Sequence, residues 1–127
     1  MKLIFLEHFY HDVEIKSITY QFSQEDGSNS IDFQLRELDD DDKEIESTCS
    51  FNDVYESYSM LVHNIYGGIF IMEAIIDNND EWFVNYLKKN ETHLSKGTLE
   101  SLNCFVINTT NGVLKIISSK DVQLIKS

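Results

Sequence analysis

The sequence predicts an α+β fold: a single domain over residues 1–127, with an antiparallel sheet of five to seven strands and two helices, at about 51–66 and 79–90. Three observations carry this. Several short segments alternate apolar and polar residues, the signature of half-buried strands. Asn111-Gly112 lies between two apolar runs, a strong hairpin signal. Two segments switch to helical spacing, which places the helices between strands.

Lys2 to Leu6 is short and apolar and reads as a strand. Val13 to Phe22 is a longer one whose apolar phase shifts midway, with Val13 and Ile15 on one parity and Ile18, Tyr20 and Phe22 on the other. A one-residue shift is what a β-bulge produces, and it falls near Lys16 and Ser17. Gln24 to Asn29 is a turn cluster. Ile31, Phe33 and Leu35 alternate with Asp32, Gln34 and Arg36 in a half-buried strand. After an acidic loop, Glu44 to Ser50 forms another strand, with Ile45 and Cys49 inward and Glu44, Glu46 and Thr48 outward.

Phe51, Val54, Tyr55, Tyr58, Leu61, Val62 and Ile65 then follow helical spacing. Ser50 and Asp53 suit a capping box, and Gly67-Gly68 suits a helix stop. Ile69 to Ile76 is an apolar run that reads as a buried strand, with helix as the alternative. Asp77-Asn78-Asn79 ends it and leads into the second helix. There Trp82, Phe83, Tyr86 and Leu87 form the apolar face, and Lys88 and Lys89 complement the dipole in the last turn. Cys104–Ile107 and Val113–Ile117 make the hairpin arms around Asn111-Gly112, and Val122 to Ile125 adds a last strand.

The composition supports one folded core: 42% of residues are hydrophobic, with eight Phe, six Tyr and one Trp. The formal net charge is −12, from 22 acidic and 10 basic residues. A chain so charged repels nucleic acid and anionic membrane and attracts basic surfaces. Two distant cysteines with no CxxC spacing read as reduced, buried thiols of a cytoplasmic protein. The N-terminal apolar run is too short for a signal peptide, and no window reaches the length of a membrane span.

Catalytic and cofactor patterns are missing. The sequence has no GxxxxGK[ST], GxGxxG, HExxH or GxSxG. His8 and His11 are three apart between two strands, which sets them on opposite faces and makes a turn a better reading than a metal site. Loops beginning at Asp39 or Asp77 fail the calcium pattern at positions six and twelve. Cys49, His63 and His93 have no spacing that brings them together. The chain is therefore expected to be non-enzymatic, without metal or cofactor.

The densest feature is Glu37 to Glu46, with seven carboxylates in ten residues. Asp39, Asp40, Asp41 and Asp42 form its loop, Glu37 precedes them, and Glu44 and Glu46 extend the charge along one strand face. Its bland reading is a solvated loop; its functional reading is a recognition loop for a basic partner. Asp77, Asp80 and Glu81 beside Trp82 form a second, smaller cluster that could contribute to such a contact.

With its small size, acidic charge and Asp39–Asp42 run, the chain resembles, at the level of class, the immunity proteins of bacterial toxin systems, including contact-dependent growth inhibition. The resemblance implies binding and neutralisation of a cognate toxin, most simply a nuclease. A nuclease cleft is basic because it holds phosphate, and an acidic partner can occupy or flank it. Acidic secretion chaperones and phage-encoded inhibitors that mimic nucleic acid are the alternative profiles.

Overall fold

The computed structural model describes residues 2–4, 13–23, 25, 28–62 and 67–126. Among these, nine strands and two helices follow in the order β1 (Lys2–Ile4), β2 (Glu14–Phe22), β3 (Asn29–Leu38), β4 (Glu44–Phe51), β5 (Val54–Leu61), β6 (Ile69–Asp77), α1 (Glu81–Asn90), α2 (Lys96–Ser101), β7 (Asn103–Thr109), β8 (Gly112–Ser118) and β9 (Gln123–Lys126). The class is α+β as expected, but nine strands exceed the expected five to seven. Eight of them form one path, β5-β8-β7-β6-β2-β3-β4-β9, and β1 pairs β6 beside it. Every described pairing is antiparallel.

Alternation places β3 and β4 correctly, and the expected first strand is formed over Lys2–Ile4, with Phe5 and Leu6 outside the described residues. Ile31, Phe33 and Leu35 of β3 are buried, as is Cys49 of β4, while Glu44 and Glu46 face outward. The expected bulge in β2 lies between Ile15 and Ser17. Beyond it Ile18 packs against the core, but Tyr20 and Phe22 are exposed. Ile69 to Asp77 is a strand, not a helix.

The expected helix at 51–66 is not formed. Phe51 ends β4, Asn52 and Asp53 turn a corner, and β5 runs antiparallel to β8. Asp53 holds the corner with φ of 50°. Ser118 Oγ donates to the carbonyl of Asn52, and Ser119 Oγ donates to Asp53 Oδ2. The physical reason for the misreading is a second bulge. A register shift between Val54 and Glu56 changes the parity of β5, so Val54 and Leu61, seven residues apart, both pack on the same core. In an unbulged strand that spacing puts side chains on opposite faces; in a helix it puts them on one. The composition of β5, with Val, two Tyr and two Ser, favours strand over helix. Ile65 and His63 lie outside the described residues. Gly67, at φ of 97°, lies just before β6, and residues 63–66 ahead of it lie outside the described residues.

The second expected helix is present as α1. Asp80 is its N-cap, its carboxylate accepting from the Phe83 N–H at 3.2 Å. The sequence reading assigned nothing to α2, which Ser95 caps by accepting from the Thr98 N–H at 3.1 Å. Six residues containing Gly97 and a single apolar Leu99 are too short to show a period.

The sheet folds over, so two apolar clusters form. One lies between the β2-β3-β4 half and the β6-β7-β8 half, and includes Ile15, Phe33, Phe51, Ile71, Phe105 and Ile107. Phe51 is its hinge, with ring centroids 5.6 Å from Phe33 and 5.3 Å from Phe105. The other lies on the opposite face of β6, β7 and β8. There Ile75, Cys104, Val106 and Ile117 meet Phe83 and Leu102, with Trp82, Tyr86, Leu87 and Leu94 at the margin.

The β7–β8 hairpin pairs Thr109 with Gly112, so Thr110 and Asn111 form its turn and Gly112 opens β8. Gly112 has φ of 139°, and a Cβ there would stand 1.9 Å from the Met60 carbonyl oxygen of β5. Both constraints demand glycine. Gly112→Ala is expected to destabilise the fold by about 1–3 kcal/mol or more, combining strain with displacement of β5. Urea unfolding measures this, and a loss below about 0.5 kcal/mol, the scale of an ordinary surface change, is incompatible with this packing.

Candidate functional site

The acidic run is a formed turn joining β3 to β4. Asp39 organises it. Its Oδ1 accepts from the backbone N–H of Asp41 and of Lys43, both at 2.8 Å. The Asp39 N–H donates to the Lys43 carbonyl at 2.9 Å, and the Asp42 N–H donates to the Asp39 carbonyl at 3.0 Å. Asp42 takes φ of 59°, a conformation that Asp tolerates better than most residues. The result is a compact tip on which Asp40, Asp41 and Asp42 are exposed while Asp39 is half-buried.

The remaining carboxylates of the run divide among different roles. Glu44 is bridged by Arg36, with Nε to Oε1 at 2.6 Å, and the same guanidinium reaches Glu14 through Nη1 at 3.2 Å. Lys16 adds a looser contact to Glu14 at 3.8 Å. The hydrogen bond from Arg36 to Glu14, with the charge of Glu44, holds the guanidinium pKa above its ordinary value. Glu46 lies opposite Arg36 in the β3–β4 register and is exposed. Glu37 has the core-side parity of Leu35 and is half-buried, so it leaves the face that carries Glu44 and Glu46. A cleft of about 440 Å³ opens at the base of the turn, with Glu37, Asp39, Asp40 and Asp42 on its walls beside Leu38 and Phe70, and with the paired Arg36 and Glu14 completing them.

Thus five carboxylates of the run, Glu37 and Asp39–Asp42, gather at the turn and its cleft, Glu46 stands exposed on the other face of the hairpin, and Glu44 is neutralised in place. Arg36 is the residue that sequence reasoning missed. Its signal was the strand register, which brings it between Glu14 and Glu46.

The second cluster does not form a free acidic patch. Asp80 caps α1 and also binds Lys115 Nζ at 2.7 Å. Asp77 Oδ1 accepts from the Asn79 N–H at 3.1 Å. Trp82 is half-buried, its ring 5.9 Å from that of Tyr58, and Lys115 lies 5.6 Å over the Tyr58 ring. Glu81 alone of the acidic three is exposed. The cluster is chiefly a joint between helix and sheet.

Both cysteines are free and fully buried. Burial, supported by Asp32, pushes the Cys49 thiol up to about 12, and burial with Asp80 does the same for Cys104. Neither is a nucleophile near neutral pH. His93 is exposed in the turn after α1, whereas Cys49 is buried in β4. His8, His11 and His63 lie outside the described residues. Among the described residues no three or more His, Cys, Asp or Glu side chains converge as a metal site requires. Nor is any helix among them long and apolar enough to cross a membrane.

Comparison with protein-family models, with curated proteins and with solved structures finds no match.

Two expectations follow. Asp39→Ala should cost about 1–2 kcal/mol, the scale of a lost side-chain cap, whereas Asp41→Asn should be neutral or stabilising because it relieves repulsion. Chemical denaturation of the two variants decides this, and equal stabilities would remove Asp39 from its organising role. The thiols carry a pH dependence. They stay protonated in the fold up to about 12, but ionise near 8.5 when unfolded. Their contribution is therefore complete below about 8.5 and falls as pH rises towards the folded value, by roughly 1.4 kcal/mol per pH unit for each thiol. Cys49→Ala/Cys104→Ala should flatten the alkaline loss of stability, and parallel wild-type and variant curves from pH 8 to 10 would contradict it.

Proposed function

We propose that this chain is a non-enzymatic, acidic binding protein that neutralises a basic protein partner, and that it acts as an immunity protein against a nuclease toxin. The observation that carries the reading is the Asp39-held turn. It presents Asp40, Asp41 and Asp42 exposed, and among the described residues no ion pair engages them or Glu46. A solvated loop requires no such internal bracing, whereas a recognition loop gains from losing less conformational freedom on binding. The cleft at its base, which Arg36 and Glu14 also line as an ion pair, offers Glu37, Asp40 and Asp42 beside the apolar Leu38 and Phe70 to a Lys or Arg side chain of the partner.

The charge of −12 suits the task. Steering by such a field raises association rates by roughly 10 to 10³ and weakens with salt. Of the residues expected at the contact, Asp40, Asp41, Asp42 and Glu46 carry the free charge, and Glu37 and Asp39 line the cleft. Glu44 acts through Arg36, and Glu81 lies at most on the rim.

The test begins with immobilised protein, lysate of the source cells at low salt, and elution by a salt step. A basic nuclease whose activity is suppressed by the protein is the expected yield. Stopped-flow association of that nuclease with a variant neutralised at Asp40, Asp41, Asp42 and Glu46 should then be slower by about tenfold or more at low salt, with a flatter salt dependence. Asp39 is kept so that the turn survives. Wild-type rates in the variant would reduce the acidic turn to a solubility feature and remove the basis of the proposal.

A further inference from the structure

We infer that β5 is a self-association edge, through which two copies of this chain pair their β5 strands antiparallel about a two-fold axis and join their sheets. This goes beyond the acidic turn and does not rest on it. β5 ends the strand path and, among the described residues, pairs only with β8. Sheet edges are normally blunted by brevity, lysine or proline. β9, at the other end of the path, is four residues long and ends in Lys126, and β1 has three residues. β5 has eight residues, with no lysine or proline and one charge, Glu56. Met60 is 63% exposed along it and Val62, just beyond, 56%.

The surroundings select a second copy over other occupants. A groove of about 650 Å³ runs between β5 and α1, lined by Tyr55, Trp82 and Tyr86 together with Glu56, Lys88 and Lys89. Its charges are of both signs. A uniformly basic partner would face the two lysines, and an acidic segment would face Glu56. In a pairing centred on Tyr58, the exposed Met60 and Val62 of each copy stand beside the Glu56 end of the other, where Tyr55, Trp82 and Tyr86 of this groove can cover them. The strand itself is also self-complementary. Pairing centred on Tyr58 sets Glu56 opposite Met60 and Ser57 opposite Ser59, so no like charges oppose one another.

The test is sedimentation velocity of the full chain over a range of concentrations, at low and high salt, with Met60→Glu and Met60→Lys alongside wild type. Met60 is exposed, so both variants should fold, which circular dichroism verifies. Wild type is expected to dimerise more tightly as salt rises, because screening relieves repulsion between two chains of charge −12. Met60→Glu places carboxylates opposite one another twice in the dimer and should weaken it roughly tenfold; Met60→Lys should leave it as tight as wild type or tighter. A monomer at every concentration and salt overturns the inference. So does a dimer that Met60→Glu leaves unchanged, which would point to another edge such as β2 beyond its bulge, where Phe22 is 75% exposed. Binding of a basic partner through the acidic turn weakens with salt, so the two readings fail separately.

Discussion

Burial of β7 on both faces is the constraint on which the rest of the structure depends. Cys104, Phe105, Val106 and Ile107 are buried in succession, so neither face of this strand can meet water. Such runs are usual in parallel sheets covered by helices and uncommon in antiparallel ones. Here the chain supplies two covers. Phe105 and Ile107 require the folded-over β2-β3-β4 half, which reaches them through Phe51. Cys104 and Val106 require α1 and the segment around Leu102. Each fully buried Phe or Ile contributes about 1.5–3 kcal/mol relative to exposure, so neither cover is dispensable. The attachment of α1 matters accordingly, and Asp80 serves it twice, capping the helix and binding Lys115 of β8. Asn78 adds a third tie, accepting from the Cys104 N–H at 2.9 Å.

The same logic divides the carboxylates. Asp39, Glu14, Glu44 and Asp80 are engaged by backbone N–H groups, Arg36 or Lys115, and so belong to the fold. Glu14 is packed closely enough against Gly68 that a Cβ there would lie 2.0 Å from its Oε2. A carboxylate already paired cannot serve a partner without giving up its present contact, which is why Asp40, Asp41, Asp42 and Glu46 bear the proposed contact and Glu44 does not. Counting acidic residues measures the charge; only the pairing tells which part of it is free.

Sequence legibility follows from how regular each element is. β3 was readable because one face is buried and no bulge intervenes, so Ile31, Phe33 and Leu35 keep strict alternation. The β2 bulge was readable because apolar residues flank it on both parities. β5 was misread because its bulge falls beside the corner at Asp53, leaving a seven-residue apolar spacing that imitates two helical turns. For α2 no period could exist in six residues. At the acidic turn, the residues were visible but their states were not. The bracing by Asp39 depends on local backbone geometry, and the Arg36 bridge depends on a register set by three strands. Trp82 was visible as an aromatic beside carboxylates, yet its packing on Tyr58 needed the position of β5, the one element the sequence assigned wrongly.

Three strands, β2, β5 and β6, carry register shifts, at Ile15/Ser17, Val54/Glu56 and Ile71/Glu73. Bulges increase twist and bend a strand, and these three accompany a sheet that folds over on itself. Among the described residues the bending stops short of closure, since β5 and β9 end the strand path without pairing to each other. A closed barrel has no edges; this sheet retains them and must keep them from indiscriminate pairing. A net charge of −12 supplies a general repulsion between copies, which suits a protein with open edges. That repulsion is weakest where the local charge is mixed, at the groove of Glu56, Lys88 and Lys89. The acidic excess and the nearly uncharged β5 edge are thus complementary parts of one arrangement, in which long-range repulsion disfavours arbitrary contacts and local charge balance leaves a single defined one.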